Sequence, residues 1–182
     1  AGYVPRTDTV TLSADRPGLV RVELAPALDG ILHGRRVVID PAGGMADPGV
    51  TGVDGVREAD VNLVVAELLA GYVAAAGGEG LLTRSAEDSP GAWERASRAE
   101  ALAGDVLVSI SHGGRPTDES VPPTTAHHYP GSANGRKLAE LVAQSLKGFA
   151  GRPWAGATRG YERIIQQVSA PAVWVRAASV AD

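Results

Sequence analysis

The feature that most constrains the fold is an alternation of short apolar segments with helical ones, which begins at Arg36. The segments of strand length are 37–39, 81–83, 106–110, 127–129 and 172–175. Between them, apolar residues recur at helical spacing over 61–73, 89–103 and 138–149. This order predicts a three-layer α/β fold with a mostly parallel sheet, in which sites gather after the carboxyl ends of the strands.

Residues 1–34 have a different pattern from the rest of the chain. Apolar and polar residues alternate over 9–12 and 19–24, and 15–18 between them has the composition of a turn. These features predict a β-hairpin. We therefore divide the chain into residues 1–34, an extra N-terminal β-hairpin or the remnant of a preceding domain, and residues 35–182, the α/β domain.

Charge and composition exclude several classes of function. The formal net charge of -4 offers no basic surface of the kind that binds nucleic acid. No window of about 18 apolar residues occurs, so we expect no membrane span. Because the chain has no cysteine, any metal must be bound by nitrogen and oxygen ligands.

A glycine-rich motif follows the first strand. It reads Val38-Ile39-Asp40-Pro41-Ala42-Gly43-Gly44-Met45-Ala46-Asp47-Pro48-Gly49, and Gly52, Gly55 and Glu58 follow it. Further matches in register are 62–63, 82–84, Arg95, 105–110 and 171–173. Together these motifs resemble the zinc-dependent N-acetylmuramoyl-L-alanine amidase family known as amidase type 3. The resemblance covers about residues 36–182 and implies that residues 35–182 are an amidase-like domain.

The resemblance also implies a chemistry. Family members hold zinc with a histidine in the first loop, the glutamate that opens the first helix and a histidine after the third strand. A glutamate on the last strand activates water, which cuts the bond between the lactyl group of N-acetylmuramic acid and L-alanine. Three ligands leave one zinc position open, and the metal lowers the pKa of its bound water towards about 7.

The four family positions fall on Gly43, Glu58, Ser111 and Arg176, and only Glu58 is retained. A glutamate in the first turn also has a structural reason to be there, because its charge favours the helix dipole. Arg176 reverses the charge of the catalytic glutamate and cannot accept a proton from water. We therefore expect no catalytic residue, no metal site and no cofactor, and we expect Arg176 to pair with Glu58 near the place of the zinc.

His112 follows the third ligand position by one residue. Successive side chains of a strand point to opposite faces, so we expect His112 to point away from the site unless the chain bulges. A one-residue register slip would instead make His112 a ligand. The neighbours His127 and His128 should face opposite sides of a strand, which disfavours a shared metal site. Direct Ser111–His112 hydrolase chemistry is disfavoured for the same reason.

Three tryptophans are candidates for stacking on sugar rings. Trp93 and Trp174 lie in a predicted helix and strand, where tryptophan is usually part of the core. Trp154 lies between Pro153 and Gly156 in a predicted loop and is the candidate surface platform. With Glu58, Arg176 and His112, it completes the set of predicted binding residues.

Three functions remain open. The first is a pseudoenzyme of the cell wall that binds peptidoglycan fragments or a cell-wall protein, with an extracytoplasmic location by family analogy. The second is an active zinc N-acetylmuramoyl-L-alanine amidase whose rebuilt metal site uses Glu58, His112 and one further histidine. The third is an assembly module that pairs with another chain through the N-terminal hairpin or the last strand.

Overall fold

The computed structural model describes residues 30–52, 54–113, 124–147 and 154–177, which form one six-stranded sheet with helices on both faces. The predicted N-terminal hairpin lies outside the described residues. The strands are β1 (Arg36–Pro41), β2 (Glu79–Leu82), β3 (Val106–Ser111), β4 (Thr124–His128), β5 (Trp154–Arg159) and β6 (Ala172–Arg176). The helices are α1 (Glu58–Ala75), α2 (Ala92–Ala101), α3 (Ala133–Leu146) and α4 (Arg163–Gln166).

The strand order in the sheet is β2-β1-β3-β6-β4-β5. Strands β2, β1, β3 and β6 run parallel, whereas β4 pairs antiparallel with β6 and parallel with β5. The predicted three-layer, mostly parallel α/β fold is therefore confirmed. The prediction that the last strand is free to pair with another chain is wrong, because β6 lies inside the sheet and both of its edges are occupied by β3 and β4.

Two elements escaped the sequence prediction. β5 begins at Trp154, where a loop was expected, and its residues Ala155 to Ala157 are small residues that carry little strand signal. Helix α4 has only four residues, which is too short to show a helical period. The loop assigned to Trp154 is therefore wrong, and sugar stacking by this residue stays a prediction.

The core has one layer on each face of the sheet. Helices α1 and α3 pack on one face, and α2 and α4 pack on the other. Trp174 packs against the second layer, as expected. Trp93 does not enter the core: it is 57% exposed, and the guanidinium of Arg163 lies 4.1 Å from its ring centroid. It lies in the first turn of α2, before the part of that helix that packs on the sheet through Ala96 and Ala99.

None of the helices in the described ranges is long and apolar enough to cross a membrane.

A buried polar network fixes the carboxyl ends of the central strands. The fully buried Asp40 carboxylate accepts hydrogen bonds from Thr83 Oγ1 at 2.6 Å, Arg95 Nε at 3.0 Å and Ser109 Oγ at 2.7 Å. Each donor lies in a different part of the chain, so one side chain of β1 holds the end of β2, helix α2 and strand β3 together. Burial makes every one of these hydrogen bonds costly to lose.

Arg84, directly after this network, connects the sheet to the start of α1. Its guanidinium donates to the carbonyl oxygens of Pro41 at 2.9 Å and Ala59 at 2.8 Å. Burial and the charge of Arg95 lower the pKa of Arg84, and the nearby carboxylates partly offset this effect. The loop after β1 and the first turn of α1 are thereby held in a fixed relation, which positions the candidate site.

We expect Asp40→Ala to lower the free energy of unfolding by about 3–5 kcal/mol, because it leaves the buried Arg95 guanidinium without its carboxylate. Glu79→Gln is the matched control, since it removes a carboxylate from an exposed ion pair with Arg36 and should cost about 1 kcal/mol or less. Chemical denaturation of both variants measures the two losses. Similar losses of unfolding free energy in both variants would show that the Asp40 network does not contribute more to stability than an exposed ion pair.

Candidate functional site

The candidate site lies where the carboxyl ends of β1, β3 and β6 meet the start of α1. The loop after β1 closes through reciprocal backbone hydrogen bonds between Gly44 and Asp47. Gly43 has a φ of 79°, and a Cβ there would lie 2.7 Å from the carbonyl oxygen of Asp47. A histidine at this position would therefore be strained in this backbone. At the position where the resemblance implies the first ligand, the chain thus has a glycine in a backbone that disfavours a side chain.

Glu58, at the start of α1, is enclosed by the chain. Its Oε1 accepts a hydrogen bond from Ser111 Oγ at 2.9 Å, and its Oε2 accepts one from the backbone nitrogen of Val50 at 3.2 Å. Gly49 and Gly113 pack so closely on the carboxylate that a Cβ at either position would overlap it. Glu58 as a whole residue is 9% exposed. Its carboxylate accepts hydrogen bonds from uncharged donors.

His112 lies beside this carboxylate, and the expectation that it points away is wrong. β3 ends at Ser111, so the strand alternation no longer applies at the next residue. His112 Nδ1 lies 2.8 Å from Asn62 Oδ1, one helical turn along α1 from Glu58. Because Asn62 Nδ2 donates to the carbonyl oxygen of Ala42, its oxygen faces the ring, so Nδ1 carries the proton and Nε2 keeps a lone pair.

Burial lowers the pKa of His112, and the charge of Glu58 opposes this effect. The imidazole is therefore held neutral, the form that can donate to a metal. Glu58 and His112 are the two potential metal donors at this place, and the described residues contain no group of three histidine, aspartate or glutamate side chains that could hold a metal ion. The described residues do not fit the three-ligand zinc site that the family pattern implies.

Arg176 does not pair with Glu58, so the expected ion pair is wrong. Its backbone is in register with Ser111, yet its guanidinium carbon lies 5.9 Å from the ring centroid of Trp174 on its own strand. Within the described ranges, Arg176 forms no ion pair, and its buried Nε has no hydrogen-bond partner. The Arg176 guanidinium is directed towards another group of side chains.

That group is the His127 cluster, which we define as Thr125, His127, Thr158, Glu162, Trp174 and Arg176. The ring of His127 stacks on Trp174 at a centroid distance of 4.7 Å. Its Nε2 lies 2.7 Å from Thr125 Oγ1, and its Nδ1 lies 2.9 Å from Thr158 Oγ1. Burial lowers the pKa of His127, while Glu162 raises it and Arg176 lowers it further. The cluster could not be predicted from the sequence, because it depends on strand β5, which was expected to be a loop, and on the antiparallel register of β4 and β6.

The remaining site hypotheses are decided by local geometry. His128 Nδ1 contacts the carbonyl oxygen of Tyr129 at 3.1 Å, whereas both ring nitrogens of His127 contact threonine hydroxyls. That the two histidines share no metal stays a prediction. Ser111 is bonded to Glu58 and His112 to Asn62, which leaves no serine-to-histidine hydrogen bond for nucleophilic catalysis.

A model of the family described as N-acetylmuramoyl-L-alanine amidase matches residues 37–182. The N-acetylmuramoyl-L-alanine amidase CwlM of Mycobacterium tuberculosis is 36% identical over 103 residues, which are 54% of this chain and 25% of CwlM. LytC of Bacillus subtilis, with the same enzyme name, is 27% identical over 164 residues, which are 88% of this chain and 32% of LytC. This chain thus spans about a third or less of these curated relatives.

Solved structures show the same architecture. The N-acetylmuramoyl-L-alanine amidase AmiC2 of Nostoc punctiforme superposes with a TM-score of 0.74 at 25% sequence identity, and the match covers 82% of each chain. The six-stranded sheet and its flanking helices are therefore an amidase architecture, whatever the chemistry of the site.

We expect Gly43→His to lower the free energy of unfolding by about 1–3 kcal/mol more than Gly55→His. Both glycines have a positive φ, at 79° and 75°, but only a side chain at Gly43 would meet the Asp47 carbonyl oxygen. The difference between the variants in chemical denaturation isolates that contact. Equal stability together with a gain of zinc binding by Gly43→His would show that the loop still accommodates the family ligand.

We expect the imidazole of His127 to titrate below about 6.5, the value of an unperturbed histidine. A lowered folded pKa means that the unfolded chain binds the proton first, so stability falls as the pH drops below about 6.5. Glu162→Gln should lower the His127 pKa further, and Arg176→Gln should raise it. NMR titration of the ring protons measures all three midpoints. A midpoint above about 6.5 in the unsubstituted chain would contradict the burial of a neutral ring.

Proposed function

The chain belongs to the N-acetylmuramoyl-L-alanine amidase family, and on that premise we propose that it is a non-catalytic member that binds peptidoglycan fragments in the cell wall. The observation that carries the proposal is the enclosed Glu58 carboxylate. Its oxygens already accept hydrogen bonds from Ser111 and Val50, and two glycines pack against it. A metal at this place would compete with these donors for the Glu58 oxygens, which disfavours metal binding.

The other family positions support the same proposal. Water activation needs a metal with an open coordination position and a base that takes the proton. Gly43 supplies no ligand, and Arg176 is a permanent cation that cannot act as the base. A metal ligand and the base that the family pattern implies are thus both replaced, while the family fold is retained.

The positive charge of Arg176 is compatible with ligand binding without catalysis. Arg176 stands at the carboxyl end of β6, in register with Ser111 beside Glu58. A cation there attracts the carboxylates of peptide ligands, whereas the family's glutamate would repel them. A peptidoglycan ligand implies an extracytoplasmic location, which we propose by analogy with the family. A cell-wall protein is the alternative partner.

An active amidase with a rebuilt metal site is the second candidate function. The observation in its favour is His112, whose Nε2 lone pair remains available close to Glu58. Two donors of this kind would need one further ligand to make the usual three-ligand site. Pairing with another chain through the N-terminal hairpin stays a prediction as a third possibility.

The first test measures zinc content and peptide release on one sample of metal-reloaded chain. We expect well below one zinc per chain and no stem peptides released from purified peptidoglycan, because the site lacks ligands and base. An active amidase run on the same peptidoglycan is the positive control for release. About one zinc per chain together with stem-peptide release would establish the active amidase instead.

The second test measures sedimentation of the chain with insoluble peptidoglycan. We expect the unsubstituted chain to sediment and Arg176→Ala to remain largely in the supernatant. Arg136→Ala is the matched control, since this arginine lies exposed on α3 and should not affect binding. Failure of the unsubstituted chain to sediment would refute binding to peptidoglycan.

A further inference from the structure

Strand β2 forms one edge of the described sheet, where it pairs with β1. The backbone nitrogens of Glu79 and Thr83 donate to carbonyl oxygens in or directly before β1, at 2.8 Å and 3.1 Å. Successive residues of a strand direct their backbone groups to opposite sides, so the amide and carbonyl groups of Gly80 and Leu82 point away from β1. Within the described ranges, no strand lies on that side. Such an edge is a template for pairing with a further strand.

An open groove of about 670 Å³ lies at the same edge. Its lining includes Glu67 of α1, Leu82 of β2 and Leu102 at the end of α2. Because α1 and α2 pack on opposite faces of the sheet, the groove extends across the edge of β2 from one face to the other. Leu81 and Leu82 are half-buried there, whereas the strands of a parallel sheet are usually buried on both faces. The edge therefore has apolar surface that an added strand would cover.

The N-terminal segment, residues 1–29, joins the described domain at the start of β2. Gly30 is the first described residue, and a Cβ at Gly77 would lie 3.4 Å from its Cα. The backbone nitrogen of Leu32 donates to the carbonyl oxygen of Ala76 at 2.9 Å. These contacts hold the point where the N-terminal segment ends beside residues 76–78, directly before β2 begins.

The sequence of the N-terminal segment fits the edge of β2. Residues 19–24 alternate, with Val20, Val22 and Leu24 on one side, as in a strand with one covered face. Residues 25–29 separate this stretch from Gly30 and can span at most about 20 Å, which exceeds the length of about 13 Å expected for the four residues of β2. A strand that leads to the start of β2 runs along it in the opposite direction. Residues 19–24 therefore fit as an antiparallel partner.

We propose that residues 19–24 pair antiparallel with β2 and extend the sheet of their own chain. The added strand supplies hydrogen-bond partners for the outward groups of Gly80 and Leu82 and covers the groove between α1 and α2. Because the segment is attached beside this edge, its effective concentration there favours it over a second copy of the chain. The inference does not depend on whether the chain binds peptidoglycan.

The first test is disulfide cross-linking, for which the chain is suited because it has no cysteine. A set of double variants combines Leu82→Cys with cysteine at each position from 19 to 24, and non-reducing electrophoresis follows oxidation. A disulfide needs Cα atoms within about 7 Å, so a paired strand cross-links within one chain only through every second residue, on the face that Leu82 shares. Ala155→Cys on β5, at the opposite edge of the described sheet, replaces Leu82→Cys in the matched controls and should give no cross-link.

The second test measures amide hydrogen exchange of the full chain by NMR. We expect the amides of Gly80 and Leu82 to be protected. Val22→Pro should accelerate their exchange at least about tenfold, because proline removes a ladder hydrogen bond and interrupts the added strand. Thr7→Pro is the matched control, since this position lies outside both predicted strands of the hairpin and should leave the exchange unchanged. The amides of β3 show whether each variant keeps its fold.

Cross-links between two chains in place of those within one would assign the edge to a second copy and overturn the inference. Cross-linking at none of the positions or at all of them alike would also overturn it. So would rapid exchange of Gly80 and Leu82 in the unsubstituted chain. Sedimentation with peptidoglycan separates these failures from that of the proposed function, because a chain that sediments but lacks the cross-links refutes the edge pairing alone.

Discussion

The structure at the carboxyl ends of the central strands depends on the buried carboxylate of Asp40. It joins β1 to β3, α2 and the residue after β2, and Arg84 extends this order to the first turn of α1. These side chains are far from each other in sequence and would be costly to bury singly. Once these side chains have formed their hydrogen bonds, the loop after β1 and the start of α1 have little conformational freedom. This network therefore positions the backbone of the candidate site.

The backbone around the candidate site lies close to its side chains. Loss of a metal ligand could leave an open pocket, but here Gly43 occupies a left-handed conformation against Asp47, and Gly49 and Gly113 close on Glu58. The retained glutamate has become a hydrogen-bond acceptor for its own chain. The environment of a side chain thus decides which of its atoms a ligand can reach.

The sequence allowed the sheet and its flanking helices to be predicted, because apolar periodicity and spaced motifs are local signals. It did not show that β6 lies between β3 and β4, since strand order depends on crossovers that leave no mark on periodicity. The contact between His112 and Asn62 was missed because it depends on β3 ending at Ser111. Glu162 carried no signal, since its role depends on Gly160 and on a strand of small residues that resembles a loop.

Arg176 shows how one substitution can act at two places. At the position where the resemblance implies a catalytic glutamate, it brings a positive charge to the end of β6. An arginine in that position would be expected to neutralise Glu58, but Ser111 already occupies the carboxylate. The guanidinium instead lies towards Trp174 and the His127 cluster, to which Glu162 also belongs. The position of its charge is therefore set by the contacts already made around Glu58.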